Sequence, residues 1–283
     1  MLFHRGNFLG ASAEYDSSGV VLFGIPMDFT TSFRPGTRFG PRQIREASLG
    51  LEEFSPVLGR SLQEICFYDA GDLDLPYGNA AASLDLAYEQ ALKILRDDKI
   101  PYGLGGEHLV SLGLVKAAAQ LYPDLNVVHL DAHADLRDDY LGERLSHATV
   151  MRRVAEITGP ERLFQLGIRS GDAAELQFAA EHTHFYPGKV LEVVDEVSIK
   201  LGQMPVYLSL DIDVVDPAFA PGTGTPEPGG CTSAEILEAM RRLTELNIVG
   251  LDLVEVSPLG DESLRTGLLA AKIVREVLLS VLK

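Results

Sequence analysis

Four short stretches of this chain set carboxylates and imidazoles at spacings that can hold metal ions. The first, Asp131-Ala132-His133-Ala134-Asp135, directly follows the apolar run Val127-Val128-His129-Leu130. In extended chain, residues two apart share one face, so Asp131, His133 and Asp135 are expected to point at a common centre. The second, Asp211-Ile212-Asp213, follows Val206-Tyr207-Leu208-Ser209-Leu210 and puts two carboxylates on one face. Carboxylates this close raise each other's pKa unless a cation neutralises them, so the pair forms either a proton-sharing dyad or part of a metal site. The third is Gly105-Gly106-Glu107-His108, whose glycines admit close backbone approach and whose histidine falls at the start of the next helix. The fourth, Asp252-Leu253-Val254-Glu255-Val256-Ser257-Pro258, offers Glu255 as a solvated loop acid or as a carboxylate that receives a planar cation fork to fork. Any one stretch alone has an ordinary explanation as a cap or a surface ion pair. Together they supply His108, His133, Asp131, Asp135, Asp211 and Asp213, with Glu255 to spare.

An oxygen-rich set with some imidazole suits Mn²⁺ or Mg²⁺, and the imidazole favours Mn²⁺. Zinc more often takes fewer ligands, with nitrogen or sulfur prominent. Four aspartates balance two divalent ions, and two ions about 3.5–4 Å apart can share and activate a hydroxide at neutral pH.

These stretches must sit at the ends of strands. Short apolar runs at 20–23, 66–68, 102–104, 127–130, 163–166, 206–210 and 248–251, with a weaker one at 184–186, read as strands buried on both faces. Helical periodicity covers 80–95, 111–121, 233–246 and 263–282, and Thr232-Ser233-Ala234-Glu235 reads as a capped helix start. Alternating strand and helix predict one α/β domain over 1–283: a mostly parallel sheet of about eight strands between helix layers. In such sheets the site lies at the C-terminal strand ends.

Composition narrows the partners. The chain carries 24 Lys and Arg against 41 Asp and Glu, a net charge of -17, which disfavours nucleic acid and attracts metal ions and amines. Two distant cysteines, Cys66 and Cys231, support no disulfide framework and fit a reducing cytoplasm. The start, Met1-Leu2-Phe3-His4-Arg5-Gly6, lacks the apolar stretch of a signal peptide, and no apolar run reaches the roughly 18 residues of a membrane span.

The four stretches, together with Arg34-Pro35-Gly36-Thr37-Arg38-Phe39-Gly40-Pro41, resemble in order the ureohydrolase family of arginases and agmatinases over nearly the whole chain. The resemblance implies an arginase-like three-layer fold. It implies two manganese ions, one held by His108, Asp131, Asp135 and Asp211, the other by Asp131, His133, Asp211 and Asp213. A hydroxide between them would attack a guanidinium carbon, with Asp135 relaying a proton to the departing amine. It also implies that Glu255 orients the guanidinium and that His147 shuttles protons or contacts substrate. Trimers or hexamers are the implied assemblies. His4, His182 and His184 match nothing in the family and read as surface residues. His129 is read as a packed strand histidine, one residue off the ligand face.

Glu107 and Ala134 depart from the family's usual aspartate and threonine, but neither is an implied ligand. Arginases usually carry Ser-Gly-Asn before the loop histidine and Asp-Val-Asp after the next strand. Here those stretches read Gly142-Glu143-Arg144-Leu145-Ser146-His147 and Arg169-Ser170-Gly171-Asp172. The pattern, including Gly167-Ile168-Arg169-Ser170, is most similar to bacterial agmatinases, and the implied reaction is agmatine to putrescine and urea. The alternatives are a ureohydrolase acting on guanidinobutyrate, guanidine, a formimino compound or arginine, a one-zinc histone-deacetylase-like enzyme, and a non-catalytic scaffold of the same fold.

Overall fold

The computed structural model describes residues 6–282, so the readings of His4 and of the first five residues lie outside it. Ten strands occur among the described residues: β1 (Val20–Ile25), β2 (Phe54–Ser55), β3 (Arg60–Ser61), β4 (Phe67–Asp72), β5 (Ile100–Gly105), β6 (Asn126–Leu130), β7 (Leu163–Leu166), β8 (His184–Tyr186), β9 (Val206–Asp211) and β10 (Ile248–Val254). Eight form one sheet in the order β4-β1-β5-β10-β9-β6-β7-β8, with every neighbouring pair parallel. These are the eight runs expected from sequence. The small antiparallel β2–β3 hairpin was not expected.

Among the described residues, eight α-helices cover the sheet: α1 (Gly40–Ser48), α2 (Ala80–Arg96), α3 (Ser111–Leu121), α4 (Val150–Thr158), α5 (Ala173–His182), α6 (Val194–Leu201), α7 (Ser233–Leu243) and α8 (Arg265–Val281). Strand residues divide by parity between two cores. Val20, Leu22, Val128, Leu130, Leu208 and Leu210 pack with α1, α6, α7 and α8. Val21, Phe23, Ile25, Val127 and Tyr207 pack with α2, α3, α4 and α5. This period-2 division makes the three-layer domain. The expected start of α7 is present: Glu235 N–H donates to Thr232 Oγ1 (3.2 Å) and Thr232 N–H to Glu235 Oε2 (2.7 Å).

Chain order explains where a crevice opens. β5 and β6 follow each other in sequence among the sheet strands, yet β10 and β9 lie between them. Connections therefore diverge above the C-terminal ends of β5, β10, β9 and β6, which is where a parallel sheet binds its ligand. Both cysteines are free. No helix among the described residues is long and apolar enough to cross a membrane.

Candidate metal centre

His108 leads from β5 into α3, and its Nδ1 lies 3.0 Å from Asp131 Oδ2, 3.3 Å from Asp135 Oδ2 and 3.4 Å from Asp211 Oδ2. A second group adjoins the first. His133 Nδ1 lies 3.0 Å from Asp213 Oδ2 and 3.6 Å from Asp131 Oδ1. Asp131 thus spends one oxygen on each group. The imidazole of His108 is held from behind, where Nε2 meets Ser209 Oγ (2.9 Å), which in turn donates to Asp252 Oδ1 (2.8 Å). That chain keeps the hydrogen on Nε2 and leaves Nδ1 as a lone-pair donor facing three carboxylates.

Among the described residues, the buried atoms His108 Nδ1 and Asp213 Oδ2 have no hydrogen-bond partner. Burial, then the charges of Asp213 and Asp131, pushes the Asp211 carboxyl far up; burial, then Asp131, raises Asp213. Buried polar atoms normally find partners, and clustered buried acids are costly to ionise without a cation. A proton-sharing dyad would leave the His108 lone pair unused. Divalent ions at the two groups would engage both orphaned atoms, so the side chains fit the two-ion centre expected from sequence.

The route to this convergence differs from the expected alternation. β6 ends at Leu130 and β9 at Asp211, so neither motif continues as strand. Asp135 turns back through a left-handed backbone (φ 52°), and Asp213 sits in a 3-10 turn, Ile212–Val214, capped by the Asp211 side chain. Asp213 Oδ1 accepts the Ala132 N–H at 3.1 Å, which ties the two motifs together.

Glu255 and His147 stand on the wall of the same cavity, a space of about 290 Å³ that His108, His133, Asp135 and Asp211 also line. Glu255 is 5 % exposed, takes a left-handed backbone (φ 64°), and accepts the His108 N–H on Oε1 at 2.8 Å. Non-glycine residues rarely adopt that conformation, and such strain gathers at functional sites. Burial pushes the Glu255 carboxyl up to about 8. His147 begins a 3-10 turn, His147–Thr149. Its N–H donates to Thr30 Oγ1 (3.0 Å), its Nε2 meets Ser32 Oγ (3.2 Å), and burial lowers its pKa, so the imidazole is neutral near pH 7.

The arginase family profile matches residues 18–280. The chain belongs to the arginase family. It is 51% identical over 279 residues to an agmatinase of Bacillus cereus, covering 98% of this chain and 96% of that one. A guanidinobutyrase of Pseudomonas aeruginosa is 36% identical over 94% of this chain and 87% of its own. The crystal structure of the agmatine ureohydrolase of Thermoplasma volcanium superposes with a TM-score of 0.91 at 33% identity, covering 99% of this chain and 95% of that chain.

His129 is the packed strand histidine expected from sequence, but its expected place off the ligand face needs correction. Positions 129 and 131 are two apart and share a face, so His129 lies on the ligand side, not off it. It is fully buried, and its Nε2 is 2.8 Å from Asp131 Oδ2. The arithmetic of alternation alone could have placed it there. His182 is exposed as expected, whereas His184 is only partly so and stacks on Phe164, with ring centroids 4.1 Å apart.

Sequence reasoning also missed part of the wall. Glu107, one of the family departures, is a buried anchor: its Oε2 accepts the Thr30 N–H (2.8 Å) and its Oε1 the Thr30 hydroxyl (2.8 Å), and burial pushes its carboxyl up to about 7. At the rim, Arg137 Nε lies 3.2 Å from Glu175 Oε2, and its Nη1 3.7 Å from Asp172 Oδ2. These three residues line the cavity. Asp172 and Glu175 are legible in sequence only as the capping box that opens α5, and their pairing with Arg137 depends on the packing of α5 against the loop after β6. The neighbouring Arg169 instead turns to the carbonyls of Asp213 (2.7 Å) and Glu227 (2.7 Å), pinning the Pro- and Gly-rich loop that leaves the site.

Proposed function

We propose that this chain hydrolyses agmatine to putrescine and urea at a centre of two manganese ions. The reading is carried by the His108 imidazole, whose orphaned Nδ1 faces three carboxylates within 3.4 Å. His108, Asp131, Asp135 and Asp211 would hold one ion, and Asp131, His133, Asp211 and Asp213 the other. Bound there, manganese supplies a Lewis acid that makes water a nucleophile at neutral pH.

The chain's own groups do the rest. Glu255 Oε2 has no protein donor among the described residues and receives the guanidinium, while Oε1 stays tied to the His108 N–H. Water adds to the guanidinium carbon, the bond to the butylamine nitrogen breaks, and that nitrogen leaves with a proton. Asp135 and the neutral imidazole of His147 stand on the cavity wall to pass protons, with Ser32 Oγ next to His147 Nε2. The 51% identity to a Bacillus cereus agmatinase supports the substrate. A cytoplasmic homo-oligomer, trimer or hexamer, completes the proposal.

Arg137 favours a second reading. A guanidinium on the rim could meet the carboxylate of guanidinobutyrate, and a guanidinobutyrase is among the relatives. Here Glu175 and Asp172 already occupy that cation, which favours the amine-tailed substrate. Urea release measured side by side at saturating Mn²⁺ decides between them. Agmatine is expected to exceed arginine and guanidinobutyrate in kcat/KM by about 10²-fold or more, the scale of a few kcal/mol in the transition state. Equal or better turnover of guanidinobutyrate would overturn the substrate but keep the reaction. One tightly held zinc with full activity would overturn the metal centre.

A further inference from the structure

His129 and Gln165 face each other across β6 and β7, both fully buried. Gln165 Nε2 lies 2.8 Å from Ala134 O and 3.2 Å from His129 Nδ1. A carbonyl oxygen only accepts, so the nitrogen of the Gln165 amide must face Ala134; the flipped amide would set oxygen against oxygen. That nitrogen carries two hydrogens, one for Ala134 O and one for His129 Nδ1. His129 Nδ1 is therefore the acceptor, and Nε2 bears the ring hydrogen. The Nε2–H donates to Asp131 Oδ2 at 2.8 Å.

The consequence falls on Asp131. Its Oδ2 is the oxygen 3.0 Å from His108 Nδ1, and its Oδ1 accepts the His133 N–H at 2.6 Å. One donor on each oxygen fixes the plane of the carboxylate and leaves each oxygen a further lone pair. Because Nε2 carries hydrogen, His129 has no lone pair aimed at the centre, although its nitrogen lies close enough to be grouped with His108, Asp131 and Asp135. We propose that His129, locked in one tautomer by Gln165 and the Ala134 carbonyl, is a positioning residue that aims Asp131 between the two metal positions. It is a support for a ligand, not a ligand.

This proposal rests on the two-manganese reading above. Its test is manganese binding to chelator-stripped protein, with free Mn²⁺ followed by electron paramagnetic resonance and folding checked by circular dichroism. His129→Leu is expected to weaken at least one of the two manganese affinities by about 10–100-fold, the usual effect of losing such a support. His129→Gln, which can still present an N–H at the side-chain tip, should recover most of that loss. Gln165→Met keeps the imidazole but releases its tautomer, and should weaken binding less than His129→Leu; it decides the matter if His129→Leu does not fold. Wild-type affinity in both His129→Leu and Gln165→Met would overturn the proposal. So would loss of one whole ion in His129→Leu and His129→Gln alike with Gln165→Met unaffected, because His129 would then be a ligand. Wild-type protein that takes up no manganese would overturn the two-metal reading, and this inference with it.

Discussion

Asp131 and Glu255 are both buried acids in one site, yet substitution should separate them. Asp131 places an oxygen in each ligand group, and Asp211 reaches toward His108 while capping the Asp213 turn. Asp131→Asn and Asp211→Asn are expected to lose manganese and urea release together, as elemental analysis and assay of the same preparation would show. Among the described residues, Glu255 is hydrogen-bonded to the ligand set through the His108 N–H. Glu255→Gln should keep its manganese and lose about 10²-fold in kcat/KM, the scale for removing one member of a buried charge pair. Manganese loss in Glu255→Gln would reverse these roles.

Between residues and the sheet lies the loop that carries Thr30. Glu107 grips this residue through both its N–H and its hydroxyl, and Thr30 Oγ1 accepts the His147 N–H. Thr30→Val keeps the shape but strands one Glu107 oxygen and the His147 amide. It should cost about 1–3 kcal/mol in unfolding free energy. It should also lower kcat more than it changes manganese content, which denaturant titration and assay would check together. Gly106 makes a sharper case. A Cβ there would come within 1.9 Å of Met27 O and 2.6 Å of Met27 N, both backbone atoms that cannot swing away. Gly106 O also accepts the Glu255 N–H at 2.8 Å. Gly106→Ala should therefore destabilise by about 1–3 kcal/mol or more through overpacking and shift His108 and Glu255 together, read as a lower midpoint and weaker manganese binding.

At the scale of the whole molecule, the net charge of -17 sets a field that draws in a dication. Raising ionic strength from about 0.01 to 0.15 M shortens the screening length from about 30 to 8 Å. KM for agmatine should rise over that range while the manganese content stays constant. A salt-independent KM would mean that binding is governed by the enclosed site alone.

The spacing within three of the motifs singled out six side chains that the fold brings close together, because each of these motifs lies at the C-terminal end of an apolar strand. The eight strands of the sheet were legible for the same reason: runs apolar on both faces can be buried only between two helix layers. Short helices such as α1, α4 and α6 were not, since eight or nine residues give periodicity too few turns to register. What sequence could not supply was every relation that crosses the sheet. The order β5-β10-β9-β6 brings His108 beside Asp131 and Asp211, residues that lie far apart along the chain. The left-handed turns at Asp135 and Glu255, the grip of Glu107 on Thr30, and the pairing of Gln165 with His129 are likewise tertiary. Local pattern states which groups a strand end carries, but a hydrogen bond or a ligand polyhedron depends on distances that only the packed sheet fixes.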